Sequence, residues 1–152
     1  MALIGIVFFF AVPRFEGSFL LDESKKDSRW LIATLNNLRE EAVRTHRLQL
    51  LHVDLETGRI WTTSDAMSPE QIARAAAGAK RPPGGGAVGA VEYPLRGRIT
   101  AGRVEIRFHP GGHSDRVLIH LVNGERVHSF LVEPFLSQVR IFDRLTGFDE
   151  LL

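Results

Sequence analysis

Six histidines are the first residues to consider for chemistry, because an imidazole can bind a metal or move a proton. His109 and His113 are four residues apart, but the Pro-Gly-Gly sequence between them excludes a helix that would align them. His120 and His128 flank an Asn-Gly dipeptide that predicts a tight hairpin, and one register of that hairpin would bring them close. A zinc site needs three or four converging ligands. We therefore interpret these four histidines as turn and strand residues.

The residue types that serve as nucleophiles form no recognisable catalytic pattern. The chain has no cysteine, which excludes disulfides, thiol catalysis and cysteine-bound zinc. His113, Ser114 and Asp115 are consecutive, so their side chains diverge and do not form a triad. The motifs G-x-S-x-G and G-x-x-x-x-G-K-[ST] do not occur in the sequence. We expect a protein that is not an enzyme, with no metal, no cofactor and no small-molecule substrate. The alternative is a soluble enzyme with an unrecognised site, which would have a deep pocket with perturbed titratable groups.

Four arginines form a basic surface that could contact DNA phosphates. Each of two strand-like segments carries a pair of them two or four residues apart, which places the pair on one strand face. Glu92 and Glu105 interrupt this surface, and no aromatic platform is evident beside it. Lys and Arg total 19 against 18 Asp and Glu, so overall charge does not indicate a nucleic-acid partner. A solvated sheet face is the favoured interpretation, and DNA contact is the alternative, for Arg96, Arg98, Arg103 and Arg107.

Residues 28–47 have the pattern of an amphipathic helix. A length of 152 residues, with 44% hydrophobic and 24% charged residues, fits one globular domain that includes it. Its apolar side chains recur at steps of three and four and so share one face. These predicted core residues are Leu31, Leu35, Leu38 and Ala42. Before the helix, residues 16–28 are rich in charge and serine, and we interpret them as a polar connector.

The remainder of the chain alternates strand patterns with turn signals. Residues 48–55 and 59–63 predict a first hairpin, and Ser68 with Gln71 predicts a capping box at the start of a short helix. Residues 79–90 are rich in Pro and Gly and predict a flexible or irregular loop. Five further strands are predicted at 88–93, 103–108, 117–122, 126–132 and 138–142. The sequence therefore predicts an α+β fold in which an N-terminal helix packs against antiparallel sheet.

Residues 2–12 are eleven consecutive apolar residues near the start of the sequence. As a helix they would extend roughly 16 Å, about half the thickness of a bilayer core. No basic segment precedes them, and the following AVPRF is a poor site for signal cleavage. From these residues alone, a soluble core element and a shortened membrane helix are equally good interpretations.

Three stretches resemble the minor pseudopilins of type II secretion and type IV pilus systems, in the GspH/FimT class. ALIGIVFFFAVPRF is similar to the second half of the type IV pilin N-terminal helix, which runs to a proline such as Pro13. LIATLNNLREEAVRTHRLQLLHVDLETGRIW is similar to the helix and first hairpin of the family's head. IRFHPGGHSDRVLIHL matches the family signature F-x-P-x-G-x-S through Phe108, Pro110, Gly112 and Ser114.

This resemblance implies a pilin-like fold and a non-catalytic structural role in a type II secretion pseudopilus. The implied partners are the major pseudopilin and other minor pseudopilins near the filament tip. Residues 1–27 would be the shortened hydrophobic pilin helix and its connector, and residues 28–152 the globular head. The residues expected in the membrane and later in the filament core are Leu3, Ile4, Ile6, Val7, Phe8, Phe9, Phe10, Val12 and Pro13.

The resemblance also implies a location and a start site. A full-length pilin helix would hold the protein in the bacterial inner membrane by a single pass, with the head in the periplasm, whereas the chain from Met1 could be soluble. About nine further apolar residues before Met1 would complete a run that spans a bilayer, so we expect Met1 to be an internal start. The alternative function implied by the family is that of a FimT-like minor type IV pilin that binds DNA during uptake. The C-terminal residues 140–152 argue against it, because they carry two arginines against three carboxylates.

Overall fold

The computed structural model describes residues 2–151, with side chains from Glu23 onward. The chain begins with one helix, α1 (Ala2–Thr45), which includes the apolar run, residues 16–28 and the predicted amphipathic helix. The interpretation of residues 16–28 as a connector between elements is therefore wrong in its secondary structure. Glu and Lys are good helix formers, so the polarity of this segment did not require a break in the helix. Among its described side chains Lys25 and Lys26 are exposed, whereas Ser24 and Asp27 are buried.

The other elements follow the predicted order closely. After α1 the chain forms β1 (Gln49–Asp54), β2 (Arg59–Ser64), α2 (Pro69–Ala77), β3 (Ala87–Tyr93), β4 (Gly97–Ile99), β5 (Arg103–Phe108), β6 (Val117–Asn123), β7 (Arg126–Val132) and β8 (Arg140–Phe142). A short 3-10 helix, Phe148–Leu151, ends the described chain. The predicted capping box is confirmed, since Ser68 Oγ accepts the Gln71 N–H and Gln71 Oε1 accepts the Ser68 N–H. Strand β4 was not predicted, because only three residues form it.

The strands form two antiparallel sheets. Sheet A has the order β2-β1-β5, and sheet B has the order β4-β3-β6-β7-β8. The Asn-Gly hairpin is confirmed, with Asn123 paired to Arg126 and Gly124 at a φ of +61°. The α+β prediction is thus confirmed at the level of an N-terminal helix followed by antiparallel sheets.

The core lies between the apolar stripe of α1 and the inner faces of both sheets. The four residues predicted for this stripe, Leu31, Leu35, Leu38 and Ala42, are all buried. They share one cluster with inner-face residues of the two sheets, which include Leu51, Val53, Ile106, Ile119 and Phe130. Each strand places these side chains on one face only, so the outer face of each sheet is left to other residues.

The Pro- and Gly-rich loop fixes α1 on sheet B through one carboxylate. Asp27 has a relative exposure of 0%. Its two oxygens accept hydrogen bonds from the N–H of Gly84 (2.5 Å), the N–H of Gly86 (2.8 Å) and the side-chain amide of Asn123 (2.9 Å). A Cβ at Gly84 would collide with the Glu23 carbonyl, and one at Gly86 would lie 2.5 Å from the Asp27 carboxylate. Residues 81–86 are irregular, as predicted, whereas residues 87–90 of the predicted loop belong to β3. The glycines at 84 and 86 allow a close contact with the helix.

Among the helices of the described residues, none is both long enough and apolar enough to cross a membrane. The side chains assigned from the resemblance to the membrane or filament core, at residues 3–13, lie outside the described side chains.

Candidate functional site

The family-signature residues form a turn at the end of β5. Phe108 and Ser114 are buried and joined by an isolated antiparallel bridge. Gly112 has a φ of +91°, a left-handed conformation that favours glycine, and Pro110 is half-buried beside it. The His109 N–H donates to the His113 carbonyl at 2.8 Å, which closes the turn.

Arg39 of α1 connects this turn to the segment that follows β7. Its guanidinium donates to Ser114 Oγ and to the Glu133 carbonyl, both at 3.2 Å, and also to the Leu136 carbonyl. Partial burial lowers the pKa of the Arg39 guanidinium. The contacts of Ser114 are therefore with the protein's own helix and chain, which supports a positioning role for the signature turn.

Three of the four candidate arginines line one groove on the outer side of sheet A. Arg103 and Arg107 share the outer face of β5, as predicted, and Arg96 lies in the turn between β3 and β4. Arg98 has a different environment, because its guanidinium binds the Glu92 carboxylate on sheet B at 3.1 and 3.2 Å. Arg116, which the sequence did not single out, joins the groove instead.

The groove has a volume of about 830 Å³, within the usual range for ligand sites. Its floor is the outer face of β1, β2 and β5, where His52 lies opposite both Trp61 and Glu105. One wall is α2, which contributes Ile72 and Ala76. The other wall is the turn between β3 and β4 with the adjoining ring of Tyr93, whose hydroxyl donates to the Glu105 carbonyl at 2.6 Å.

Aromatic rings accompany the arginines, although the sequence showed no aromatic platform. The Trp61 and His52 rings stack with centroids 5.2 Å apart, and the Arg103 guanidinium lies 5.5 Å from the Trp61 centroid. Arg96 lies 5.1 Å from the Tyr93 centroid. Cation–π contact of this kind holds a guanidinium in place while its N–H groups remain available. The register of the β1–β2 hairpin is the sequence signal that could have placed Trp61 beside His52.

Four arginines and two carboxylates line the groove, and two of the arginines are paired with carboxylates beside it. Arg103 pairs with Asp54 at 3.5 Å, and Arg116 pairs with Glu133 at 3.2 Å. Among the side chains described, from residue 23 to 151, Arg96 and Arg107 form no ion pair. Two carboxylates, those of Glu105 and Asp115, also line the groove.

One row of polar side chains on the groove floor combines a carboxylate, an imidazole and a hydroxyl. His52 Nε2 lies 2.7 Å from Thr63 Oγ1, and His52 Nδ1 lies 3.7 Å from the Glu105 carboxylate. Burial lowers the pKa of His52, Glu105 opposes this effect, and the charge of Arg103 adds to it. His52 is therefore neutral near pH 7. We name Glu105, His52 and Thr63 the open row, because Glu105 is half-exposed in the groove, although Thr63 at the other end of the row is buried.

A second row with the same three functional groups lies on the outer face of sheet B. His120 Nδ1 lies 2.8 Å from Ser129 Oγ, and His120 Nε2 lies 3.5 Å from Glu92 Oε2. Ser129 is fully buried, and its hydroxyl donates to the Arg144 carbonyl at 2.7 Å and accepts the Thr146 N–H at 3.0 Å. The Ser129 oxygen thus bonds the protein's own backbone and is closed to a substrate. We name Glu92, His120 and Ser129 the closed row.

The C-terminal residues 143–151 cover the closed row. The Phe148 N–H donates to Glu92 Oε1 at 3.0 Å, and the Phe148 ring packs on Leu118 and Leu131 of sheet B. Together with the Thr146 bond to Ser129, these contacts hold an irregular segment against the sheet without strand pairing.

Burial under residues 143–151 and the neighbouring Arg98 shift the pKa values of the closed row. Burial raises the pKa of Glu92, but the Phe148 N–H and Arg98 outweigh it, and the net shift is downward. Burial and the charge of Arg98 lower the pKa of His120, despite the nearby Glu92. The Glu92–His120 contact is therefore a carboxylate beside a neutral imidazole near pH 7, and the ion pair of Glu92 is with Arg98.

The remaining histidines do not combine into a site in the described residues. The His109 and His113 rings stack on each other with centroids 4.3 Å apart. His120 pairs with Ser129 and His128 with Leu121, so the two imidazoles project from opposite faces of sheet B. In the described part of the chain, no three metal-binding side chains converge.

No family model, no curated protein and no solved structure matches this chain. Two features of the described residues bear on the function of the protein. One is the long helix α1 with its fixed attachment to the head, and the other is the arginine-lined groove.

Proposed function

We propose that this protein is a non-catalytic structural subunit, a minor pseudopilin of a type II secretion pseudopilus. The observation that carries the proposal is the continuity of α1, which leads from eleven apolar residues into the head without interruption. A filament subunit needs an apolar helix that packs on its neighbours and a folded head that forms the filament surface. In this protein α1 joins the two, because its first residues are apolar and its later residues are part of the head core.

The attachment of α1 to the head supports this role. The apolar stripe of α1 is buried against both sheets, and the Asp27 carboxylate joins the helix to the Gly84–Gly86 backbone and to Asn123. A buried carboxylate with three hydrogen-bond donors fixes its neighbours strongly, because losing any partner leaves a polar group unpaired. Force or position transmitted along the helix would thus reach the head through a defined contact.

The proposed partners are the major pseudopilin and other minor pseudopilins, and the proposed location of the full-length protein is the bacterial inner membrane with the head in the periplasm. The apolar residues 2–12 would lie against lipid before assembly and against neighbouring helices afterwards. Burying a Phe or Ile side chain in either environment contributes roughly 1.5–3 kcal/mol.

A charge placed in the apolar run tests this proposal. Phe9→Arg in the full-length protein should abolish membrane co-fractionation and co-purification with other pseudopilins, because an arginine is costly in a bilayer or helix bundle. Phe135→Arg is the matched control, since Phe135 is an exposed head residue. Head stability, followed by thermal unfolding, should be unchanged in both variants. Retention of membrane and partners by Phe9→Arg would contradict the proposal.

The native N-terminus provides a direct second measurement. We expect the protein from the membrane fraction of its host to begin with a modified phenylalanine at the start of a helix long enough to span a bilayer, as a processed pilin would. Intact mass and N-terminal sequencing would establish this. A native chain that begins at Met1 and never fractionates with membranes would contradict the pseudopilin assignment.

DNA binding during uptake, as in a FimT-like minor pilin, is the second candidate function. The observation that favours it is the convergence of Arg96, Arg103 and Arg107 with Trp61 in one groove. A salt-dependent gel shift with duplex DNA, lost when these three arginines become alanine, would support it. The carboxylate of Glu105 between Arg103 and Arg107 opposes it, because that carboxylate would repel a phosphate backbone.

A further inference from the structure

The groove on sheet A has the residue types of a protein–protein contact. Its lining combines Trp61, Tyr93 and several arginines, the types that most often dominate binding energy at interfaces. Leu95, at the tip of the turn between β3 and β4, is 100% exposed, and Ile72 on the opposite wall is 42% exposed. A partner that fills the groove would cover both of these exposed apolar side chains, because they lie on opposite walls of one concave surface.

The charges in the groove define the partner further. Arg96 and Arg107 form no ion pair among the described side chains, so their guanidinium groups can receive carboxylates. The Asp115 carboxylate accepts a hydrogen bond from the backbone N–H of Arg107 at 2.9 Å, which fixes its position and leaves the Arg107 guanidinium unpaired. Glu105, between Arg103 and Arg107 on the same strand face, makes the positive charge discontinuous.

This discontinuity distinguishes a polypeptide from a nucleic acid. A nucleic-acid strand carries a negative charge at every nucleotide, so one phosphate would meet Glu105 whenever its neighbours meet the arginines. An extended polypeptide alternates its side chains and can place carboxylates at the arginines and an apolar or neutral residue at Glu105.

We propose that this groove is the docking site for an extended acidic segment of a partner subunit, one in which carboxylates and aromatic or aliphatic side chains alternate along the face that meets the groove. The inference rests on the proposed function, because the partner would be another pseudopilin. Arg96 and Arg107 bind the carboxylates of the segment, and Trp61 and Leu95 contact its apolar side chains.

A fluorescent peptide tests the site directly. The probe repeats the sequence Asp-Ser-Phe-Ser, so that aspartate and phenylalanine alternate on one face of the extended peptide, and fluorescence anisotropy measures its affinity for the purified protein. Arg96→Ala combined with Arg107→Ala should weaken binding at least tenfold, because a residue that dominates an interface typically contributes about that much or more. Leu95→Ser should weaken it several-fold. Arg126→Ala is the matched control, since Arg126 is an exposed arginine outside the groove, and it should bind like the original chain.

Two further probes determine whether the recognition is as proposed. A peptide in which lysine replaces aspartate should not bind, and a single-stranded oligothymidylate of equal charge should bind at least tenfold more weakly than the acidic peptide. Tighter binding of the oligonucleotide would overturn the proposal in favour of nucleic acid. Equal binding by the control and the double variant, or by the lysine and aspartate peptides, would also overturn it.

The same double variant in the full-length protein separates this inference from the proposed function. If Arg96→Ala with Arg107→Ala still co-purifies with other pseudopilins at the original level, the groove proposal falls and the pseudopilin assignment stands. If the original chain binds the acidic peptide but never co-purifies with any pseudopilin, the groove recognises acidic segments and the pseudopilin assignment falls.

Discussion

The open row on sheet A and the closed row on sheet B contain the same functional groups in different surroundings. Each has a glutamate, a histidine and a hydroxyl on adjacent strands, with an arginine beside the glutamate or histidine. The side chain of Glu105 is 51% exposed, whereas that of Glu92 is 12% exposed. His52 and His120 differ likewise, at 15% and 1%.

The difference comes from what lies over each sheet. The helix α2 and the turn between β3 and β4 flank the open row and leave a groove between them, whereas residues 143–151 lie directly over the closed row. Ser129 and Glu92 of the closed row form hydrogen bonds with backbone groups of residues 144–148, so this row stabilises the fold. In the open row the Glu105 side chain remains half-exposed in the groove, where a binding partner can reach it.

Among changes in the two rows, removal of the Glu92 carboxylate should lower the free energy of unfolding most. Glu92→Ala leaves the Phe148 N–H without its acceptor and Arg98 without its ion pair, which should lower the free energy of unfolding by about 3 kcal/mol. Glu92→Gln is the control, because it keeps an acceptor for the Phe148 N–H and should cost less. Urea unfolding measures both variants. If both variants lost only a small and equal amount of unfolding free energy, Glu92 would not be holding residues 143–151 against sheet B.

Loss of the main apolar contact between residues 143–151 and sheet B should cause the next largest decrease in the free energy of unfolding. Phe148→Ala removes the ring that packs on Leu118 and Leu131, and should cost about 2 kcal/mol, below the usual range for a core Phe because the chain end can relax. The variant should also bind a hydrophobic dye through the newly exposed face of sheet B. Exposed Phe135→Ala provides the control and should change neither measurement.

The two histidines should make stability depend on pH in one direction. Burial lowers the pKa of both His120 and His52 in the folded state below 6.5, so near that pH the unfolded chain binds more protons. The free energy of unfolding should therefore fall as the pH decreases below 6.5. Above that pH the two histidines are neutral in both states, and the protein should keep its full stability. Urea unfolding between about pH 5 and pH 7.5 measures this, above the range in which Glu92 titrates.

His120→Gln should flatten that pH dependence more than a change in the open row, because His120 is the more deeply buried imidazole. A matched His52→Gln variant gives the comparison. If stability instead increases as pH falls through 6.5, then His120 is protonated in the folded protein and pairs with Glu92, contrary to the assignment above.

The smallest effect is expected for the carboxylate of the open row. Glu105→Ala should change the free energy of unfolding by no more than about 0.5 kcal/mol, because its contact with His52 is long and half-exposed to water. Urea unfolding beside Glu92→Ala measures the contrast between the rows. A loss above about 1 kcal/mol would indicate that the open row also stabilises the fold.

The local part of this structure could be predicted from the sequence. The stripe of α1, the capping box at Ser68 and the Asn-Gly hairpin each depend on residues within a few positions of one another. The error over residues 16–28 came from treating polarity as a loop signal, although polar residues such as Glu23, Lys25 and Lys26 are also good helix formers. The placement of Arg98 on Glu92 was missed because the short strand β4 was missed.

The sequence by itself determined the periodicities, the turns and the α+β class, since each follows from near neighbours and backbone sterics. Tertiary structure decided which surfaces are closed. Asp27 binds Gly86 across 59 positions of sequence, and Glu92 binds Phe148 across 56. Both contacts exist only once the core brings distant segments together. Two rows of nearly identical residues thus acquire different roles, because a side chain's solvation depends on what packs above it rather than on its own type.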